Sequence, residues 1–145
     1  HLPIRMKEHA SRAFVFAQRL HELGLDVTYP GLESHPDHTL FKKIGRPEYG
    51  FGGLLTINAG TAKQAEGLME DLQNKEGFGF MAVSLGYFDT LMSCSASSTS
   101  SEMSDEAQRE AGIAPGLLRM SVGFTGSLEQ RWDQLERALK RVGLC

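Results

Sequence analysis

Apolar residues recur at helical spacing over residues 6–23, through Ala10, Phe14, Ala17 and Leu20, and Gly24 follows where a helix C-terminus would fall. The pattern predicts a long amphipathic first helix. Asp26-Val27-Thr28-Tyr29 then changes to a β-branched and aromatic run, and Pro30-Gly31 punctuates it as a strand ending in a turn. A short helix is predicted over His38–Ile44. Gly50-Phe51-Gly52-Gly53 reads as a flexible lead into a second strand, Leu54–Asn58. Thr61-Ala62-Lys63-Gln64 has capping-box spacing, and Ala65, Leu68, Met69 and Leu72 give the following helix one buried face, with Gly77 beyond its end. A third strand is predicted over residues 78–85 and a fourth over Thr90–Cys94. Ser104, with Asp105 and Glu106 behind it, caps a modest helix. Residues 116–123 form the next strand. Ser127-Leu128-Glu129-Gln130 repeats the capping pattern, and Leu128, Trp132, Leu135, Leu139 and Val142 make an unbroken core stripe on the closing helix.

Strands separated by helices, with no internal repeat and no linker-like shift in composition, predict an α/β sandwich of helices against one small sheet. The 145 residues, 41% hydrophobic and 23% charged, suit a single soluble domain over residues 1–145. With 15 Lys+Arg against 18 Asp+Glu and a net charge of -3, no dense basic block is present to track nucleic acid or an anionic membrane. The apolar stretches are short for a membrane span and the first residues lack signal-peptide order, so a soluble, cytoplasmic protein is expected. Cys94 and Cys145 form neither a disulfide framework nor a zinc pattern, and both are expected as thiols. The chain opens at His1 without an initiator methionine and runs almost at once into a helix. It reads as a piece of something longer.

Against this background Arg119 stands out, because it interrupts an apolar strand with a fixed positive charge. A planar guanidinium suits bidentate capture of a carboxylate or phosphate. The competing reading is the solvent face of an edge strand, since Leu118, Met120 and Val122 alternate with Leu117, Arg119 and Ser121. Ser84-Leu85-Gly86 follows an apolar run, where a hydroxyl and two backbone N–H groups could hold an oxyanion or simply end a strand. His35-Pro36-Asp37-His38 offers two imidazoles without a third ligand nearby, so no metal site is assigned. Gly50-Phe51-Gly52-Gly53 precedes a strand instead of opening a helix, which favours a bend over a phosphate cradle. The hydroxyl-rich residues 95–101 read as a loop. No Ser-His-Asp, Cys-His or paired-carboxylate arrangement assembles from these pieces.

Several blocks in order resemble the Cys/Met-metabolism family of pyridoxal-phosphate (PLP) enzymes, and the likeness spans nearly the whole chain. They are Leu2-Pro3-Ile4-Arg5-Met6 with His9, Tyr29-Pro30-Gly31-Leu32-Glu33-Ser34-His35-Pro36-Asp37-His38, Gly50-Phe51-Gly52-Gly53-Leu54-Leu55, Ala82-Val83-Ser84-Leu85-Gly86 and Leu117-Leu118-Arg119-Met120-Ser121-Val122-Gly123. Ser95-Ala96-Ser97-Ser98-Thr99-Ser100 stands where the family carries Pro-Ala-Ser-Met-Thr-His, and with residues 86–94 it is most similar to the methionine γ-lyase branch of plants and some protists. The resemblance implies the small C-terminal domain of a fold-type I enzyme, with helices on a mostly antiparallel sheet. It implies that Arg119 binds the substrate's α-carboxylate, with Ser84, Leu85 and Thr99 assisting. Pyridoxal phosphate would serve the intact enzyme. Its Schiff-base lysine would lie in a large domain outside this chain, because none of Lys7, Lys42, Lys43, Lys63, Lys75 or Lys140 has the family's Ser-x-Thr-Lys-like setting. The chain alone is expected to be inactive, to partner an amino-acid substrate and that large domain, to belong to a homo-oligomer, and to leave apolar surface exposed along its first helix.

Overall fold

The computed structural model describes residues 1–94 and 102–145. In chain order these form α1 (Leu2–Glu22), β1 (Asp26–Thr28), α2 (His38–Ile44), a 3-10 turn (Pro47–Tyr49), β2 (Leu54–Asn58), α3 (Ala62–Asn74), β3 (Gly79–Met81), β4 (Thr90–Cys94), α4 (Asp105–Glu110), β5 (Leu117–Ser121) and α5 (Leu128–Arg141). The first helix begins at Leu2, four residues ahead of the start of the apolar pattern. Pro3 lies in its first turn, where a missing N–H costs nothing. The expected caps form on α3, α4 and α5: Thr61, Ser104 and Ser127 accept from the backbone N–H of Gln64, Ala107 and Gln130.

The sheet has five strands in the order β1-β2-β5-β4-β3, antiparallel except for the parallel β3–β4 pair. Register puts Ile57, Leu118 and Cys94 in one row and Leu55, Met120 and Met92 in the next. All six are buried, and they meet Phe16 and Leu20 of α1, Leu68 and Leu72 of α3, and Leu135 and Leu139 of α5 in one core. Phe16 sits between Phe78 and Trp132, at centroid distances of 6.2 and 6.0 Å. Burying each such side chain stabilises the fold by roughly 1.5–3 kcal/mol.

Two sequence expectations are corrected. The third strand ends at Met81 rather than continuing to residue 85, although Ala82 N–H still donates to Met92 O at 2.9 Å. After that the chain leaves the sheet plane and crosses toward β5, whose side chains replace the ladder bonds it gives up. The apolar surface that α1 leaves exposed is confined to Leu2 and Ile4 at its start, because Ala10, Ala13, Phe16, Ala17 and Leu20 turn inward. A further exposed patch lies on β3 and the crossing after it, at Phe80, Met81, Val83, Leu85, Tyr87 and Phe88.

Candidate anion site on the open face of the sheet

Because Leu118 and Met120 face the helices, strand alternation turns Leu117, Arg119 and Ser121 to the opposite face. There Arg119 is half-buried, directly between Thr56 of β2 and Ser93 of β4. β5 is central, so the edge-strand reading of Arg119 is corrected. Its charge is placed by a strand bonded on both sides, which fixes where the side chain starts.

Arg119 Nη2 donates to the Ser84 carbonyl at 3.3 Å. Arg12, Arg19, Arg131, Arg137 and Arg141 each meet a carboxylate. Arg119 has no acidic partner among the described residues, and its one hydrogen bond there, to the Ser84 carbonyl, uses a single donor of its fork. Ser93, its cross-strand neighbour, is 5% exposed and its Oγ has no partner among the described residues. Ser84 and Leu85 are exposed above this face. Gly86, at φ +72°, turns the chain so that its N–H reaches Ser121 Oγ at 2.9 Å and its carbonyl accepts from Arg5 Nη2. The structure therefore brings Arg119, Ser84 and Leu85 together. Thr99 lies outside the described residues, as does the hydroxyl-rich loop.

An open, mostly apolar hollow of about 350 Å³ adjoins the site, walled by Met6, Phe51, Leu54, Leu85 and Ser121 among others. His9 lies at its edge and ties α1 to the strand carrying Arg119: its Nδ1 is 2.6 Å from Val122 O and must donate there. The other candidates serve local structure. His35 Nδ1 accepts from Asp37 N–H at 3.1 Å, while His38 bonds Pro30 O at 2.8 Å and stacks on Phe51. Gly50 and Gly52, at φ +62° and +85°, form a bend whose Gly52 carbonyl accepts from Tyr29 OH at 2.9 Å. The roles of Arg5, His9 and Ser121 were not anticipated. Ser121 carries a signal as the residue two along from Arg119 on the same strand face, and Arg5 and His9 stand in the first of the blocks that resemble the family.

The site sets a guanidinium beside hydroxyls and a turn, with an apolar wall next to it, which is a chemistry able to take a small anion. The chain belongs to the Cys/Met metabolism PLP-dependent enzyme family, which it matches over residues 1–140. It is 57% identical over 142 residues to a methionine gamma-lyase of Arabidopsis thaliana, covering 98% of this chain and 32% of that protein. Among solved structures, an O-acetylhomoserine (thiol)-lyase of Campylobacter jejuni bearing N'-pyridoxyl-lysine-5'-monophosphate superposes with a TM-score of 0.84 at 28% identity, over 94% of this chain and 32% of that one. A cystathionine gamma synthase of Xanthomonas oryzae in complex with cystathionine gives 0.81 at 30% identity, over 94% and 34%. The chain thus spans about a third of the length of the relatives it matches.

The donor set around Arg119 is of the kind that can hold a carboxylate. The lysines stand elsewhere: Lys7 lies over the Tyr49 ring, Lys75 pairs with Asp71, Lys140 pairs with Glu136, and Lys42, Lys43 and Lys63 are exposed. Among the described residues no helix is long and apolar enough to cross a membrane.

Proposed function

We propose that this chain is the substrate-carboxylate-binding domain of a PLP-dependent lyase of sulfur amino acids, with methionine γ-lyase activity in the whole protein. That reaction converts methionine to methanethiol, 2-oxobutanoate and ammonia. The observation that carries the reading is Arg119, a guanidinium without an acidic partner among the described residues, set on the central strand and touching the Ser84 carbonyl. The 57% identity to a plant methionine gamma-lyase supports the choice of branch.

In this reading Arg119 grips both carboxylate oxygens of the amino acid, and the main chain at Ser84 and Leu85 borders the same oxygens. The family resemblance assigns Thr99 to the same carboxylate. Fixing the carboxylate sets the direction of the Cα–H bond, so binding energy is turned into orientation of the proton to be removed. By the family resemblance the Ser84 hydroxyl, on an exposed residue, would lie near the cofactor lysine. Pyridoxal phosphate, when bound, supplies the electron sink for charge developing at Cα. The cofactor lysine belongs to a separate large domain, so the chain alone is inactive. That domain covers the apolar surface at residues 80–88. The working protein is a cytoplasmic homo-oligomer.

Product analysis of the whole protein tests this. Methanethiol and 2-oxobutanoate from methionine are expected, with cystathionine a poorer substrate. A second reading, the cystathionine branch, is favoured by the likeness to the synthase complexed with cystathionine. Turnover of cystathionine with methionine left intact would move the assignment there. Turnover of neither would overturn both.

A further inference from the structure

We propose that Ser121 is a positioning residue of the carboxylate site, acting through the Gly86 amide to hold the turn of residues 84–86 against Arg119. Ser121 is 4% exposed and sits in register with Leu54 of β2 and Leu91 of β4. With apolar neighbours on both flanking strands, its hydroxyl finds its partner above the sheet, where it accepts the Gly86 N–H at 2.9 Å.

Two residues back on the same face, Arg119 meets the Ser84 carbonyl at 3.3 Å. One strand therefore holds the turn at two points, spaced as alternate side chains of a strand are spaced, roughly 7 Å apart. Arg5 of α1 takes the remaining polar group of Gly86, its carbonyl. The bond from Arg119 is the longer of the two made by β5, so Ser121 sets the height of the turn and Arg119 follows it. Without the Ser121 hydroxyl, Ser84 and Leu85 lose their fixed distance from the guanidinium, while the strand itself keeps both its ladders.

This rests on the reading of Arg119 as the carboxylate ligand, and the test separates the two. In the whole, cofactor-loaded protein, Ser121→Ala should raise KM for methionine about tenfold with kcat changed less than about twofold. Ser121→Thr, which keeps the hydroxyl, should bring KM back to within about twofold of the parent. Hydrogen exchange at the Gly86 amide should accelerate about tenfold in Ser121→Ala, with the Leu118 amide unaffected. An unchanged KM and unchanged Gly86 exchange in Ser121→Ala would overturn the proposal, as would an equal rise in KM for the Ala and Thr variants. Arg119→Ala is measured alongside. If it raises KM steeply and Ser121→Ala does not, the positioning role alone falls. If it leaves KM as it was, the carboxylate reading falls and takes this proposal with it.

Discussion

Replacing Asp71 by Asn keeps the size of the side chain and removes the charge that joins α3 to α5. Asp71 is buried, with its side chain 4% exposed, and accepts from Arg141 Nε at 2.9 Å and from Lys75 Nζ at 2.6 Å. The Lys75 ammonium is 66% exposed and returns to water at little cost, so that pair contributes about 0–1 kcal/mol. The Arg141 bonds matter more, at about 1.5–3 kcal/mol for a hydrogen bond to a charged group. Arg141 also reaches Glu76, which Arg137 holds at 2.7 Å, so the guanidinium is not abandoned when Asp71 is neutralised. The expected loss is about 2 kcal/mol, below the range for stripping one member of a fully buried pair. A domain of this length changes stability by about 0.3 kcal/mol per degree near its midpoint, so Tm should fall by about 7 °C at pH 7. Thermal unfolding of the chain followed by circular dichroism reads this directly. The Arg141 hydrogen bonds hold the Asp71 carboxyl below the usual carboxylate range, with Lys75 adding to them and burial opposing; Glu76 is lowered chiefly by Arg137. A carboxyl depressed in the folded state contributes fully above its unfolded value of about 4 and loses that contribution as pH falls through the folded value. The gap between parent and Asp71→Asn should therefore close as pH drops below about 4. A gap under about 2 °C at pH 7, or one that persists unchanged to pH 2, would refute the reasoning.

Three further outcomes are expected. Gly123→Ala places a Cβ 2.5 Å from both Phe88 O and Thr90 N, backbone atoms that cannot rotate away, and should cost about 1–3 kcal/mol in denaturant unfolding. Gly67→Ala, inside α3 with nothing within 4 Å of the new methyl, should instead stabilise by about 0.5–1 kcal/mol, measured as a higher urea midpoint. Tyr29→Phe removes the donor to Gly52 O, and should cost about 1 kcal/mol and speed amide exchange across the bend at residues 50–53.

Local chemistry made much of the fold legible. The bounds of α2 and β4, and the hydroxyl caps of α3, α4 and α5, were readable because a few neighbouring residues decide them. Arg119 was noticeable as a charge in an apolar strand, and the ordered blocks pointed to the family. Misreadings come where apolar residues lie outside this chain's own core. Val83 and Leu85 look like strand core yet are each 60% exposed, so apolarity alone extends β3 too far. The central place of β5 needed strand order, which periodicity does not carry. The bonds that assemble the site join residues 35 apart for Gly86 and Ser121, 81 apart for Arg5 and Gly86, and 113 apart for His9 and Val122. No window of local sequence contains them.

The central claim is that Arg119 holds the substrate's carboxylate, and the most direct test is steady-state kinetics of Arg119→Ala in the whole protein, with cofactor content followed by visible absorbance. Losing a bidentate charged contact should lower kcat/KM for methionine by about a hundredfold or more and leave cofactor content unchanged. A kcat/KM within about threefold of the parent would contradict the account, because a contact worth so little cannot be orienting the amino acid.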